Sequence, residues 1–140
     1  MEAYQKLVTK PTIKETISVY QIETVKLAIV GSRNFTDYSV VEKAVDEYIQ
    51  LIGQPSLIIS GGAKGVDTLA EQYAEAHKIS KLIFQANWAK YGKRAGPIRN
   101  KEIVNECTHV IAFVATDSVG TKDTITQAKL LGREVKVILI

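Results

Sequence analysis

The chain has 140 residues, 46% hydrophobic and 24% charged, with a formal net charge of +3; that is enough for one domain with a sizeable core, and far short of the dense Lys/Arg footprint of a dedicated nucleic-acid binder. Its single cysteine, Cys107, excludes an internal disulfide and fits a reducing compartment, while His77 and His109 stand far apart without cysteine partners, so no metal site is expected. No apolar run reaches membrane-spanning length and the charged N-terminus lacks a signal-peptide pattern, so a cytoplasmic protein without membrane association is expected.

Residues 1–24 precede the first buried-strand pattern and read as an extension: residues 17–22, ISVYQI, suit an edge strand or an oligomer arm, with a disordered tail as the alternative. A continuous apolar run at residues 25–30 predicts a strand covered on both faces. Ser39 and Glu42 have capping-box spacing, and Val41, Ala44, Val45, Tyr48, Ile49 and Ile52 then recur at helical spacing. A second strand is predicted over residues 57–60, and a second helical stripe runs through Val66, Leu69, Ala70, Tyr73, Ala74 and His77. Residues 81–86 form a third strand pattern; Pro97 then marks a helix start that leads to Ile103, Val104 and Cys107. The last units are a strand over 109–115, a helix through Ile125, Ala128 and Leu131 ending at Gly132, and a strand over 135–140. Strands alternating with helices require crossovers and a parallel sheet, so residues 25–140 are expected to form a single doubly wound, three-layer α/β domain with a mainly parallel five-stranded sheet.

In such a sheet, ligands bind beyond the carboxyl ends of the strands. The first strand runs into Gly31-Ser32-Arg33-Asn34, and the second into Gly61-Gly62-Ala63-Lys64-Gly65. The third leads to Asn87-Trp88 and then KYGKRAGPIRNK, and the fourth to Asp117-Ser118-Val119-Gly120-Thr121. All four stretches fall on one predicted edge. The glycine loop before the second helix offers backbone donors and a helix dipole to a phosphate, and Gly120-Thr121 offers the same device again. The plainer alternative is a tight turn that only allows close packing. The GxxxxGK[ST] spacing of a Walker loop and the GxGxxG pattern with its later acidic residue are both missing, which argues against an ordinary NTPase and a nicotinamide dehydrogenase.

Arg33 and Arg99 are planar forks suited to phosphate or carboxylate, or else surface ion-pair partners. Asp67 could accept ribose hydroxyls or simply stabilise a helix start. Trp88 and Tyr91 could stack a base, or Trp88 could anchor its loop. Lys90, Lys93 and Arg94 read as a solvated basic face, His77 and His109 as structural, and Cys107 as core.

The segments VGSRNFTDY, ISGGAKGVDTLAE, NWAKYGKRAGPIRNKEIV and VGTKDTITQAKLLGREV resemble the SLOG superfamily of Rossmann-like proteins, in particular its YspA/YpsA-related branch. The resemblance covers about residues 26–140. It implies a nucleotide-derived ligand between the two glycine-containing loops, at Gly31, Arg33, Gly61, Gly62, Asp67, Arg99, Asn100, Gly120 and Thr121; Ser32, Lys64, Gly65 and Trp88, from the same loops, complete the expected ligand-binding set.

Two better-understood relatives imply different functions. Lonely Guy phosphoribohydrolases cleave the N-glycosidic bond of a nucleoside monophosphate. By that similarity, Arg99 and Asp123 would be the phosphate clamp and the electrostatic or general-base group. Their Pro-Gly-Gly is replaced here by Asp117-Ser118-Val119, and their acidic pair is reduced to Asp123. The DNA-processing protein A family shares a similar glycine loop and arginine-asparagine helix start, and implies single-stranded nucleic acid as the ligand, through Arg33, Lys64, Lys93, Arg94 and Arg99. The resulting expectation is a nucleotide-binding, phosphate-holding protein, possible hydrolysis included, assembled as a homo-oligomer. It needs no cofactor, although a nucleotide could bring Mg²⁺.

Overall fold

In a computed structural model, residues 24–140 are described. The extension expected at the N-terminus, with its candidate strand at 17–22, lies outside them. Five strands, β1 (Lys26–Gly31), β2 (Leu57–Ser60), β3 (Lys81–Ile83), β4 (His109–Val114) and β5 (Glu134–Leu139), form one sheet in the order β3-β2-β1-β4-β5. Every neighbouring pair is parallel; Ile29 lies opposite Ile111, for example, and Leu27 opposite Ile58.

The alternation of side chains along each strand divides the core into two layers. Leu27 and Ile29 of β1, with Ile111 and Phe113 of β4, pack against α1 (Tyr38–Ile52) and α2 (Val66–Ala76). Ala28 and Val30, with Val110, Ala112 and Val114, pack against α4 (Ala95–Glu106) and α5 (Val119–Leu130). The central strands β1, β2 and β4, covered on both faces, are largely apolar, while the edge strands β3 and β5 stay partly exposed, so the α/β doubly wound reading holds. The short α3 (Trp88–Tyr91) and a 3₁₀ turn (Gly92–Arg94) link β3 to α4.

Local details differ from the expectations. The third strand stops at Ile83, three residues early, because its partner β2 ends at Ser60; the last link is the Phe84 amide donating to the Ser60 carbonyl at 2.9 Å. The cap of α1 is Asp37 rather than Ser39: its carboxylate accepts the Ser39 amide at 3.1 Å and the Ser39 hydroxyl at 2.6 Å. A carboxylate just ahead of the first turn takes both donors, so Ser39 enters the helix itself. Glu42, the other half of the expected box, instead meets Tyr38 and His77. His77 caps the end of α2 and stacks on Tyr73 with centroids 4.0 Å apart. Cys107 is buried in the α4–α5 layer, which pushes its thiol up to about 11 and leaves it inert as a nucleophile near neutral pH.

The chain runs outward from β1 through β2 to β3, then returns to place β4 on the other side of β1. That reversal opens a crevice beyond the carboxyl ends of β1 and β4, where the loops after them part.

Candidate functional site

A cavity of about 300 Å³ occupies that crevice. The loop after β1 supplies Gly31, Ser32, Arg33 and Asn34; the loop after β4 and the start of α5 supply Asp117 through Thr121. Asp67 from α2 and Arg99 and Asn100 from α4 close it. A second cavity, about 260 Å³, lies beside it between the glycine loop and the segment after β3; Gly61, Gly62, Lys64, Gln85 and Trp88 line it. Arg33, Ala63 and Arg99 belong to both. The four loops expected on one edge do converge there, as two adjoining hollows rather than one.

Part of the glycine loop is spent on its own packing. The Gly62 amide donates to Ser60 Oγ at 3.2 Å, the Ala63 amide to Asp67 Oδ2 at 3.2 Å, and the Val66 amide to the Ser32 carbonyl at 3.0 Å. Gly65 has φ +74°, and a Cβ there would collide with the Ser32 carbonyl oxygen. Alanine at this position combines a left-handed backbone with a backbone clash, so Gly65→Ala is expected to lower the unfolding free energy by at least about 2 kcal/mol, measurable by urea denaturation. For these groups the tight-turn reading is the better one.

The starts of α2 and α5 both lack a side-chain cap, but in α5 the residues of the open turn, Gly120 and Thr121, both line the first cavity. Their amides have no acceptor among the described residues. A Cβ on Gly120 would meet nothing within 4 Å, and Thr121, itself buried, spends its hydroxyl on no described partner. Two orphan donors and the positive end of a twelve-residue helix therefore open onto the cavity wall.

Arg33 is exposed, and its guanidinium sits 5.8 Å from the centre of the Trp88 ring, without an ion-pair partner among the described residues. Arg99 is only 9% exposed. It donates to the Gly61 carbonyl at 2.5 Å and to Asn100 Oδ1 at 3.0 Å, and burial disfavours its charge while Asp67 favours it. Asp67 is 6% exposed, and burial raises its carboxyl to about 6 against the Ala63 amide and the Arg99 charge, which act to lower it. The crevice thus presents two guanidinium groups, two carboxyls of which the buried Asp67 is raised to about 6, and an open helix start.

Of the expected ligand-binding residues, Gly31, Ser32, Arg33, Asp67, Asn100, Gly120 and Thr121 line the first cavity. Gly61, Gly62, Lys64 and Trp88 line the second, and Gly65 holds the loop in shape. Asp123, expected beside Arg99 as a catalytic group, lines neither; its Oδ2 accepts Asn100 Nδ2 at 3.0 Å and Gln127 Nε2 at 2.8 Å. Tyr91, Lys90, Lys93 and Arg94 also line neither cavity. Sequence reasoning missed Gln85 and Thr124, which line the second and first cavities respectively. Gln85 could have been found as the polar residue closing the third apolar run; Thr124 carries no such signal. Among the described residues no cluster of His, Cys, Asp or Glu is arranged to hold a metal, and no helix is long and apolar enough to cross a membrane.

Comparison with known proteins bears on this geometry. The family model for the YspA, cpYpsA-related SLOG family matches residues 25–91, from β1 to the end of α3. The gene 61 protein of Mycobacterium phage D29 is 30% identical over 113 residues, spanning 76% of this chain and 90% of the phage protein. The X-ray structure of DNA processing protein A from Streptococcus pneumoniae superposes with a TM-score of 0.64 at 26% identity. That similarity covers 81% of this chain, which spans half the length of the solved one. The β1 and glycine loops lie inside the family match, and the likeness extends across the sheet that carries them, so this chain belongs to the YspA, cpYpsA-related SLOG family.

Proposed function

We propose that the protein binds a nucleotide or nucleotide-derived phosphorylated ligand in the first cavity, with its phosphate at the start of α5 between Arg33 and Arg99. Family membership and the likeness to DNA processing protein A support a module for nucleotides or nucleic acid. The observation that carries the narrower reading is the uncapped α5, whose Gly120 and Thr121 amides lack acceptors beside two arginines. Two carboxyls line the cavity, the buried Asp67 and the exposed Asp117, and Asp67 is the one set beside Arg99. Hydrolysis of an N-glycosidic bond, if it accompanies binding, would draw on that group to stabilise positive charge or take a proton from water, since Asp123 is held by Asn100 and Gln127.

A thermal-shift titration with AMP and other nucleoside monophosphates tests the reading: the melting temperature should rise with ligand concentration as linkage requires. Arg33→Ala and Thr121→Val should each weaken binding about tenfold and leave the ligand-free melting temperature unchanged, because neither side chain makes a described structural hydrogen bond. Unaltered binding in both variants would remove the site. Chromatography of the incubated mixture reads turnover as free base.

A second reading, single-stranded nucleic acid held along Arg33 and Lys64, is favoured by the likeness to a DNA processing protein. It predicts a shift with a short single strand that falls steeply with salt, and none with mononucleotides. The homo-oligomer expectation rests on the β5 edge, where Val137 and Leu139 are exposed; light scattering after size exclusion reads it.

A further inference from the structure

We infer that the ligand of this crevice has two ring systems joined through phosphate, and that the second ring occupies the hollow beside Trp88. This deepens the nucleotide reading above and rests on it.

The two hollows share a wall made by Arg33, Ala63 and Arg99. Each hollow alone lies at or below the lower limit of small-molecule pockets, roughly 300 Å³, and together they fall inside that range. Both arginines stand at the junction, and neither forms an ion pair within salt-bridge reach among the described residues. A junction between two guanidinium groups suits a negative bridge rather than a neutral ring.

What lies beyond the bridge suits a flat polar ring. Trp88 is 50% exposed. A Cβ on Gly96 would lie 3.4 Å from its ring, so the start of α4 is in packing contact with it, and the Arg33 guanidinium stands over it, yet half of its surface stays open. A large aromatic left open at a cavity rim is a stacking platform. The exposed Gln85 amide has no hydrogen-bond partner among the described residues and brings both a donor and an acceptor to a ring edge. Lys64 adds an unpaired cation on the rim. The first hollow, by contrast, offers the open helix start and Asp67 but no aromatic side chain. Phosphate chemistry and stacking chemistry are thus divided between two spaces, with cations where they meet.

Trp88 is the chain's one tryptophan and lines only the second hollow, so a ring stacked there is read in its emission. The experiment compares AMP, NAD, diadenosine diphosphate and the dinucleotide d(ApA) by calorimetry and by tryptophan emission. The pyrophosphate-bridged ligands are expected to bind about tenfold more tightly than AMP and to quench Trp88 strongly, while AMP, which reaches it only through Arg33, changes emission far less. Trp88→Leu should bring the bridged ligands down to the affinity of AMP without altering AMP itself, and Gln85→Ala should weaken the bridged ligands alone. A d(ApA) affinity matching or exceeding that of NAD assigns the bridge to a nucleic-acid phosphodiester rather than a soluble dinucleotide; both share the ring–phosphate–ring chemistry.

Equal affinity for AMP and every bridged ligand overturns the inference while leaving the nucleotide reading intact. Quenching by AMP as strong as that by the bridged ligands, or a Trp88→Leu variant that weakens AMP and bridged ligands alike, overturns it as well. Absence of binding by all four ligands removes both readings together.

Discussion

Replacing Asp67 with asparagine is expected to make the ligand-free protein more stable at pH 8, by up to about 3 kcal/mol, and to flatten its stability between pH 4 and 6. Burial raises the folded carboxyl from 3.8 to about 6, and every tenfold change in a proton-binding constant corresponds to about 1.4 kcal/mol. In that window the folded state holds a proton that the unfolded chain has released. The stabilising contribution of the neutral acid is therefore complete below pH 3.8 and lost as pH rises through about 6, leaving a buried carboxylate above it. Asparagine keeps an oxygen for the Ala63 amide and carries no charge to bury. Asp37 works in the opposite sense: the Ser39 hydroxyl lowers its pKa, so its contribution disappears only as pH falls below the ordinary carboxylate range. The two effects thus separate along the pH axis. Urea denaturation of both proteins from pH 4 to 8 checks the result, and a wild-type curve flat across the window, or an asparagine variant weaker at pH 8, would refute it. Carrying a charged acid in the cavity wall costs stability, as is common where a group is kept for a ligand rather than for the fold.

Arg99→Ala should be the costliest single change at the crevice, lowering unfolding free energy by about 3–5 kcal/mol and the melting temperature accordingly. The side chain crosses from α4 to the end of β2, satisfies the buried Gly61 carbonyl and orients Asn100, whose amide in turn holds the Gly120 carbonyl and Asp123. Its removal leaves a carbonyl unpaired and strips Asp67 of a favourable charge in a water-poor site. Lysine at this position would restore the charge but not the two directed donors, so Arg99→Lys should recover only part of the loss. Arg33→Ala, on an exposed side chain, should change stability by less than about 0.5 kcal/mol. If Arg99→Ala folds as stably as wild type, the guanidinium is a ligand clamp alone. Combining it with Asp67→Asn measures the coupling: the double variant should be more stable than the sum of the single effects predicts, because the charge left unpaired is no longer there.

Several elements could be read directly from the residues. Leu27, Ala28, Ile29 and Val30 are apolar in succession because both faces of β1 are covered, and the stripes through Val41, Val45 and Tyr48 or Leu69, Ala70 and Tyr73 mark which side of each helix meets the sheet. Element type follows from such patterns because burial of one face or of two is a local property of spacing. The loops rich in glycine, arginine and threonine were legible as one edge of the sheet because the apolar runs of β1, β2 and β4 stop where those loops begin; β3, which ends inside its run, is the exception.

Partnership was not legible. Nothing near Asp67 in the chain shows that Arg99 approaches the same face of Gly61, or that Asn100 and Gln127 would hold Asp123, because those contacts join α2, the end of β2, α4 and α5. The glycine loop and the Gly120-Thr121 turn look alike as sequence, and both helix starts leave two amides without acceptors, yet only the α5 turn sets both of those residues on the first cavity. Five strands, the helices between them and the edge on which the unusual residues gather are written into short stretches of residues, since they depend on apolar spacing and turn chemistry. Which helix start lines the cavity, which carboxyl is buried and how two hollows come to share a pair of arginines are set by the folded chain instead. Desolvation and hydrogen-bond satisfaction are settled by residues far apart in the chain and close together in space.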